Sequence, residues 1–162
     1  MAGLLRLIAS GYRRKNIFGH SPSDLLREIR GRLALLLPRL YSLYQDRLLR
    51  DLARHRIFLR RLPELTEEQA RFVDRHFTRI VSPVLTPLAV DPGRPLPLLG
   101  SRTLSFAVVV ARRGKEHLVL VPVPKNLQRL IRLPSSSDEH SFVLLDEVIR
   151  RHLPGLFRGY QI

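Results

Sequence analysis

The sequence lacks several residue types and patterns on which whole classes of function depend. It contains no cysteine, which excludes disulfides, cysteine-based zinc sites and thiol nucleophiles. Its nine glycines form neither GxGxxG nor GxxxxGK[ST], the loops that hold nucleotide phosphates. No apolar run approaches the roughly 20 residues that span a bilayer, and in MAGLLRLIASGYRRK the basic cluster follows the apolar run, the reverse of a signal peptide. We therefore expect a cytoplasmic protein without a transmembrane segment, and peripheral association with a membrane stays open.

Acidic residues are the second shortage. The 162 residues include 28 Lys+Arg against 14 Asp+Glu, a net charge of +14, and 25 of the 28 are arginine. Such an excess favours a polyanionic partner, namely polyphosphate, nucleic acid or an acidic membrane surface. Arginines scattered over solvated faces would give the same composition, so both interpretations stay open. The candidate polyanion contacts are Arg47, Arg50, Arg54, Arg60, Arg61 and Arg94.

Catalytic and metal-binding patterns are missing as well. The six histidines lie singly in different segments, no HExxH occurs, and no carboxylates are spaced as a general acid and base. Each histidine is therefore interpreted as a surface or packing residue. The sequence identifies no catalytic, cofactor-binding or metal-binding residue.

Two patterns in the first half of the sequence predict the start of a helix. Ser21 precedes Pro22 and is followed three residues later by Asp24, and Thr66 is followed three residues later by Gln69. Both arrangements are typical of a capping box, in which the side chains at each end of the pair bond the other's backbone N–H.

The residues after each cap recur at helical spacing. The first pattern predicts a long amphipathic helix over about 22–54 with a kink at Pro38, and the second predicts a helix over 65–81. We interpret the leucine stripe of the long helix as packing core, with a coiled-coil partner helix as the alternative.

The second half has the alternating and β-branched runs typical of strands. Residues 103–113 and 117–124 form a predicted hairpin that turns at Gly114-Lys115-Glu116. Further strands are expected at 56–62, 127–133 and 141–145, with a helix at 146–157 that Pro154 and Gly155 end. The predicted fold class is α+β: long N-terminal helices, then a mainly antiparallel sheet with a covering C-terminal helix.

A proline-rich but apolar segment separates the two halves. SPVLTPLAVDPGRPLP resembles the PVLTPLAVDP segment of the bacterial polyphosphate kinases, and FVLLDEVIRRHLPGLFRGYQI, LSFAVVV and LVLVPVPKNLQRLIRL resemble stretches that follow it in that family. The prolines restrict the backbone before folding, so the segment is interpreted as an architectural connector. Its architectural residues are Pro83, Pro87, Asp91 and Pro92.

The resemblance implies a function that the residues alone do not. Polyphosphate kinases transfer the γ-phosphate of ATP, with Mg²⁺, to a growing polyphosphate chain. Residues 1–20 would be a remnant of their N-terminal helical domain, and 21–162 the first part of their head, or middle, domain.

On this basis we expect an architectural, dimerising part of such an enzyme. It would have no bound cofactor of its own and no activity alone, it would form homo-oligomers through the head domain, and the missing kinase domains would be encoded nearby. The alternative is a free-standing basic module that binds nucleic acid or another polyanion.

Overall fold

The computed structural model describes residues 2–90, 93, 99, 102–135 and 138–161. The chain divides into two compact units, Met1–Leu52 and Ala53–Ile162. The first unit is helical and the second combines strands with helices, so the predicted α+β class is confirmed.

The first unit is helical. Helix α1 covers Ala2–Ala9, α2 covers Pro22–Ser42, and a π-helical turn at Leu43–Leu48 leads into α3 at Leu49–Arg54. The last two residues of α3 belong to the second unit. The predicted helix over 22–54 is therefore present. Pro38 lies within α2, and the geometry widens to the π-helical turn only after Ser42.

The predicted N-cap of α2 is confirmed. Ser21 Oγ accepts from the backbone N–H of Asp24 at 3.2 Å, and the Asp24 carboxylate accepts from the Ser21 N–H at 3.2 Å. These bonds satisfy two N–H groups that the helix itself leaves without partners. The Ser21 hydroxyl and N–H, which bond the carboxylate, hold the pKa of Asp24 below its usual value of 3.8.

The interpretation of the leucine stripe as core is wrong within this unit. Leu26 is buried, but the stripe that follows it on α2 is solvent-exposed, with Leu36 59% and Leu40 60% exposed. An amphipathic pattern encodes a surface suited to burial, but burial also needs a second surface to cover it. The exposed members spaced at i, i+3, i+4, i+7 and i+8 are Leu33, Leu36, Leu37, Leu40 and Tyr41.

The second unit contains the six strands found among the described residues. They are β1 (Ile57–Leu59), β2 (Leu88–Val90), β3 (Ser105–Arg112), β4 (Lys115–Pro122), β5 (Leu130–Arg132) and β6 (His140–Leu144). They form two three-stranded sheets rather than one, ordered β1-β6-β5 and β2-β4-β3. Every pairing is antiparallel except β1 with β6, which is parallel.

The β3–β4 hairpin turns one residue earlier than predicted. Arg112 pairs with Lys115, so the two turn residues are Arg113 and Gly114, with φ of 52° and 75°. A two-residue turn with both φ positive matches the twist of the flanking strands. Glycine takes this conformation without strain, which explains why the turn lies at Gly114.

Two helices complete this unit. Helix α4 covers Glu67–His76 and ends in a π-helical turn at Phe77–Val81; Thr66 and Gln69 form its predicted capping box. Helix α5 covers Leu145–Leu156. Contrary to prediction, Pro154 and Gly155 lie inside α5. A proline in the last turn removes only one hydrogen bond, and burial of Leu153 on the same turn favours the helix.

The core of the second unit lies where α4, α5 and the sheets meet. Val73, Val121, Val143 and Ile149 are fully buried within it. The segment Phe77–Val81 adds Phe77 and Val81 to this core. α4 therefore has one face fixed in the core and its opposite face in solvent.

Candidate functional site

A groove runs beside α4 on the surface of the second unit. Its volume is about 310 Å³, at the lower end of the range for ligand sites. One wall consists of Phe72, His76 and Ile80, which are four residues apart and so share one face of the helix. The described residues that line the groove are Phe72, His76, Ile80, Asn126, Leu127, Gln128, Ile131 and Arg132, and none of them is acidic.

The rings in this groove are partly withdrawn from solvent. Phe72 packs against the core and stacks on His76, with ring centroids 5.8 Å apart. Burial lowers the pKa of His76 below its usual value of 6.5, because desolvation disfavours the charged imidazolium. At neutral pH, His76 is therefore a neutral wall residue.

Three arginines form a row on the solvent side of the same helix. Arg71, Arg75 and Arg79, the arginine row, each immediately precede a groove residue and are exposed. Arg71 and Arg75 lie in α4, and Arg79 lies in the π-helical turn that continues it. Successive members are four residues apart, which in an α-helix corresponds to a rise of about 6 Å along the axis. Within the described part of the chain, none of the three forms an ion pair.

Five other arginines of the second unit are neutralised by carboxylates. Arg60 donates to Glu139 at 2.8 Å, and ion pairs of 2.6 to 3.0 Å neutralise four more. The unit therefore has a basic surface on α4 and compensated charge in several other places. The other four pairs are Arg56–Asp138, Arg129–Asp146, Arg150–Glu147 and Arg151–Asp74.

Arg60 is held by its surroundings as well as by its charge. Its guanidinium lies 4.3 Å from the centre of the Phe58 ring and hydrogen-bonds Ser141 and Glu139. The Ser141 hydroxyl, and after it Arg60, hold the pKa of Glu139 below its usual value of 4.5. The charge of Arg60 is therefore neutralised by a partner within the same unit.

The predicted polyanion contacts are distributed over both units. Arg47 lies in the π-helical turn and Arg50 in α3, both exposed in the first unit. In the second unit, Arg54 ends α3, and exposed Arg61 follows Arg60 directly. Arg94 lies outside the described residues, as do Asp91 and Pro92.

The connector is described only in part. Pro83 lies in a short 3-10 turn at Ser82–Val84, and Pro87 immediately precedes β2. Pro87 also lines an apolar cavity of about 620 Å³ with Val110, Val119 and Phe157. The role of these prolines as architectural residues remains a prediction.

A polar cavity of about 560 Å³ lies near the start of α4. Arg60 lines it, but so do Glu64, Glu68 and Glu139. Three carboxylates around one paired arginine disfavour anion binding. This cavity is therefore a poorer anion site than the arginine row.

Asp74 joins α4 to α5 on a different side. Its Oδ1 lies 3.0 Å from Arg151 Nε and 3.0 Å from His152 Nε2. The His152 ring stacks on Phe77 at 4.0 Å between centroids, and its Nδ1 lies 2.8 Å from the Val148 carbonyl oxygen. His152 is thus a packing residue, as interpreted from the sequence.

The arginine row is not among the contacts predicted from the sequence, although the spacing of its members is visible there. The three arginines recur at i, i+4 and i+8 within the predicted second helix. What the sequence does not show is which arginines have carboxylate partners, since Arg60–Glu139 joins residues far apart in the chain.

The described part of the chain lacks two kinds of feature. No helix there is both long and apolar enough to cross a membrane. No group of three or more histidine, aspartate and glutamate side chains there could hold a metal ion.

Comparison with known proteins gives one family. The family model of the polyphosphate kinase middle domain matches residues 68–162. Polyphosphate kinase of Halalkalibacterium halodurans is 34% identical over 166 residues, 100% of this chain and 24% of the relative. That of Thermosynechococcus vestitus is 36% identical over 169 residues, 100% of this chain and 23% of the relative.

The fold is also similar to a solved structure. The crystal structure of polyphosphate kinase from Porphyromonas gingivalis matches 84% of this chain and 24% of its own, with a TM-score of 0.75 and 23% identity. The chain thus spans about a quarter of the length of the relatives it matches.

Proposed function

Because the chain belongs to the polyphosphate kinase family, we propose that it is an architectural and dimerising part of an enzyme that transfers the γ-phosphate of ATP to polyphosphate. Residues 1–20 would end a preceding helical domain, and 21–162 would form the first part of the head domain. ATP and Mg²⁺ would be bound by other parts of the enzyme. The family match favours this function over that of an unrelated basic module.

The exposed apolar face of α2 is the observation that carries the architectural role. Leu33, Leu36, Leu37, Leu40 and Tyr41 lie on one face and are each at least 36% exposed. An apolar face of five side chains exposed to water marks an interaction surface. Its burial is favourable by about 25 cal/mol per Å², and a second copy of the chain supplies a matching surface in a two-fold dimer.

Substitution on α2 tests this role. We expect the purified chain to self-associate in light scattering, and L36Q/L40Q to shift it toward the monomer because two of the most exposed leucines are lost. The matched control is R32Q/R39Q, which changes two exposed residues of the same helix that are seven apart and lie outside the apolar face. A wild-type chain that stays monomeric at all concentrations, or an equal shift in the control, would contradict the dimerising role.

Catalysis by the chain alone is tested separately. In-line phosphoryl transfer needs cations and a nucleophile held in alignment around the phosphorus, and the sequence contains no phosphate-binding loop motif. We expect neither polyphosphate nor acid-labile phosphohistidine after incubation with γ-labelled ATP and Mg²⁺. Label retained on any of the six histidines would show that the chain is an enzyme by itself.

A further inference from the structure

We infer that the arginine row of α4, with Arg132 in the adjoining groove, binds a linear inorganic polyphosphate chain. The inference rests on the proposed function for the identity of the polymer. Binding is assigned to Arg71, Arg75, Arg79 and Arg132, and not to the arginines selected from the sequence.

The surroundings of the arginine row contain little negative charge. The only carboxylate between the row's first and last members is Asp74, and its charge is neutralised by Arg151, whose Nε lies 3.0 Å from Asp74 Oδ1. Glu67 and Glu68 lie in the first turn of α4, so the uncompensated charge increases toward Arg75 and Arg79. Arg132 hydrogen-bonds the His140 ring at 3.3 Å and no carboxylate among the described residues.

The length of the row favours a polymer over a single phosphate. The outer arginines are eight residues apart, which corresponds to at most about 12 Å along the axis, since the last three of these residues lie in the π-helical turn. A single phosphate reaches one of these side chains, whereas a chain of phosphates can engage all three at once. Weak contacts then add because each bound phosphate holds the next near its arginine.

Stabilisation of the helix end does not account for the row. Cations in the last turn of a helix offset its negative end, which would explain Arg75 in the last turn of α4 and Arg79 in the π-helical turn that follows. Arg71 is the fifth of the ten residues of α4, outside the last turn. A partner that extends along the helix explains all three positions.

The groove favours polyphosphate over single-stranded nucleic acid. Proteins that bind single strands stack bases on exposed aromatic faces beside their basic residues. Here Phe72 packs on the core and on His76, so the nearest rings are already engaged. This surface therefore offers positive charge to phosphates, but its described residues offer no exposed aromatic face on which a base could stack.

The test compares variants of the full 162-residue chain in titrations with labelled linear polyphosphate at several salt concentrations. Each phosphate contact on a single-stranded chain contributes about 0.7 to the slope of log K against log salt. R71Q/R75Q/R79Q should therefore reduce the slope by about 2, whereas R71K/R75K/R79K should keep it. The control R13Q/R14Q/K15Q removes the same charge from an exposed basic run and should leave the slope nearly unchanged.

Each contrary outcome has one meaning. Equal loss in the control and the row variant would show that only net charge matters, and would overturn the inference. An oligothymidylate that binds the row more tightly than polyphosphate would make nucleic acid its partner and overturn it too. The self-association test uses other residues, so its result and this one stand independently.

Discussion

The two units of this chain use the same kind of residue to opposite effect. In the first, leucines on a long amphipathic helix lie in solvent, as Leu36 does at 59% exposure. In the second, a helix of similar pattern places Val73 at 0% exposure against two sheets and α5. The difference shows that amphipathic pattern selects a face, and that only the elements available to cover the face decide its burial.

The largest expected effect comes from a core truncation in the second unit. I149A removes a fully buried side chain and should lower the free energy of unfolding by about 2 to 5 kcal/mol. L36A on the exposed face should change it by less than about 0.5 kcal/mol. Urea unfolding followed by circular dichroism, at a concentration where the chain is monomeric, measures both. A similar loss in the two variants would show that the α2 face is buried.

The contact between α4 and α5 should be next in size. H152A removes the ring stacked on Phe77 and its bonds to Asp74 and Val148, which should cost about 1 to 3 kcal/mol. H152F keeps a ring and loses the bonds, so it should lose less. The same urea unfolding measures both, and equal losses would mean that the ring stack contributes nothing.

The two capping boxes allow a matched test across the units. T66A removes the N-cap of a helix fixed in the core and should cost about 1 kcal/mol. S21A makes the same change in the first unit, where we expect reduced helicity without a shift in the unfolding midpoint of the second. Amide hydrogen exchange resolves the two helices. Protection lost equally throughout the chain in both variants would mean that the units unfold as one.

The smallest effect concerns pH. Burial lowers the pKa of His76 in the folded state below 6.5, so the unfolded chain binds more protons as pH falls through this range. Stability should therefore decrease from about pH 7.5 to pH 5.5, and H76Q should lose part of that dependence.

Thermal melts across this range test the pH dependence. Glu139 cannot cause the same slope, because its pKa is held below 4.5 and its contribution is lost only at lower pH. A wild-type slope retained in full by H76Q would remove His76 as its source.

Local features of the fold could be predicted from the sequence. Ser21 and Thr66 were both identified as N-caps and both accept the expected N–H, because a capping box involves residues only three apart. The hairpin was identified from its β-branched runs, with the turn misplaced by one residue. The position of the turn depends on the strand register. Because Arg112 pairs with Lys115, the residues with positive φ are Arg113 and Gly114.

The candidate site was harder to predict, for a reason that is also physical. Arg60 and Arg75 look alike in the sequence, and only the fold places Glu139 beside Arg60 and leaves Arg75 without an ion pair among the described residues. Charge that is neutralised across the chain cannot be counted from composition.

By itself, the sequence determined the family, the α+β class, the helix starts and the excess of positive charge. Each depends on residue identity or on neighbours within a few positions, where sterics and short-range hydrogen bonds act. The tertiary structure decided the division into two sheets, the exposure of the leucine face and the pairing of the arginines. These depend on contacts between residues as far apart as Arg60 and Glu139, and no local pattern determines which distant groups meet.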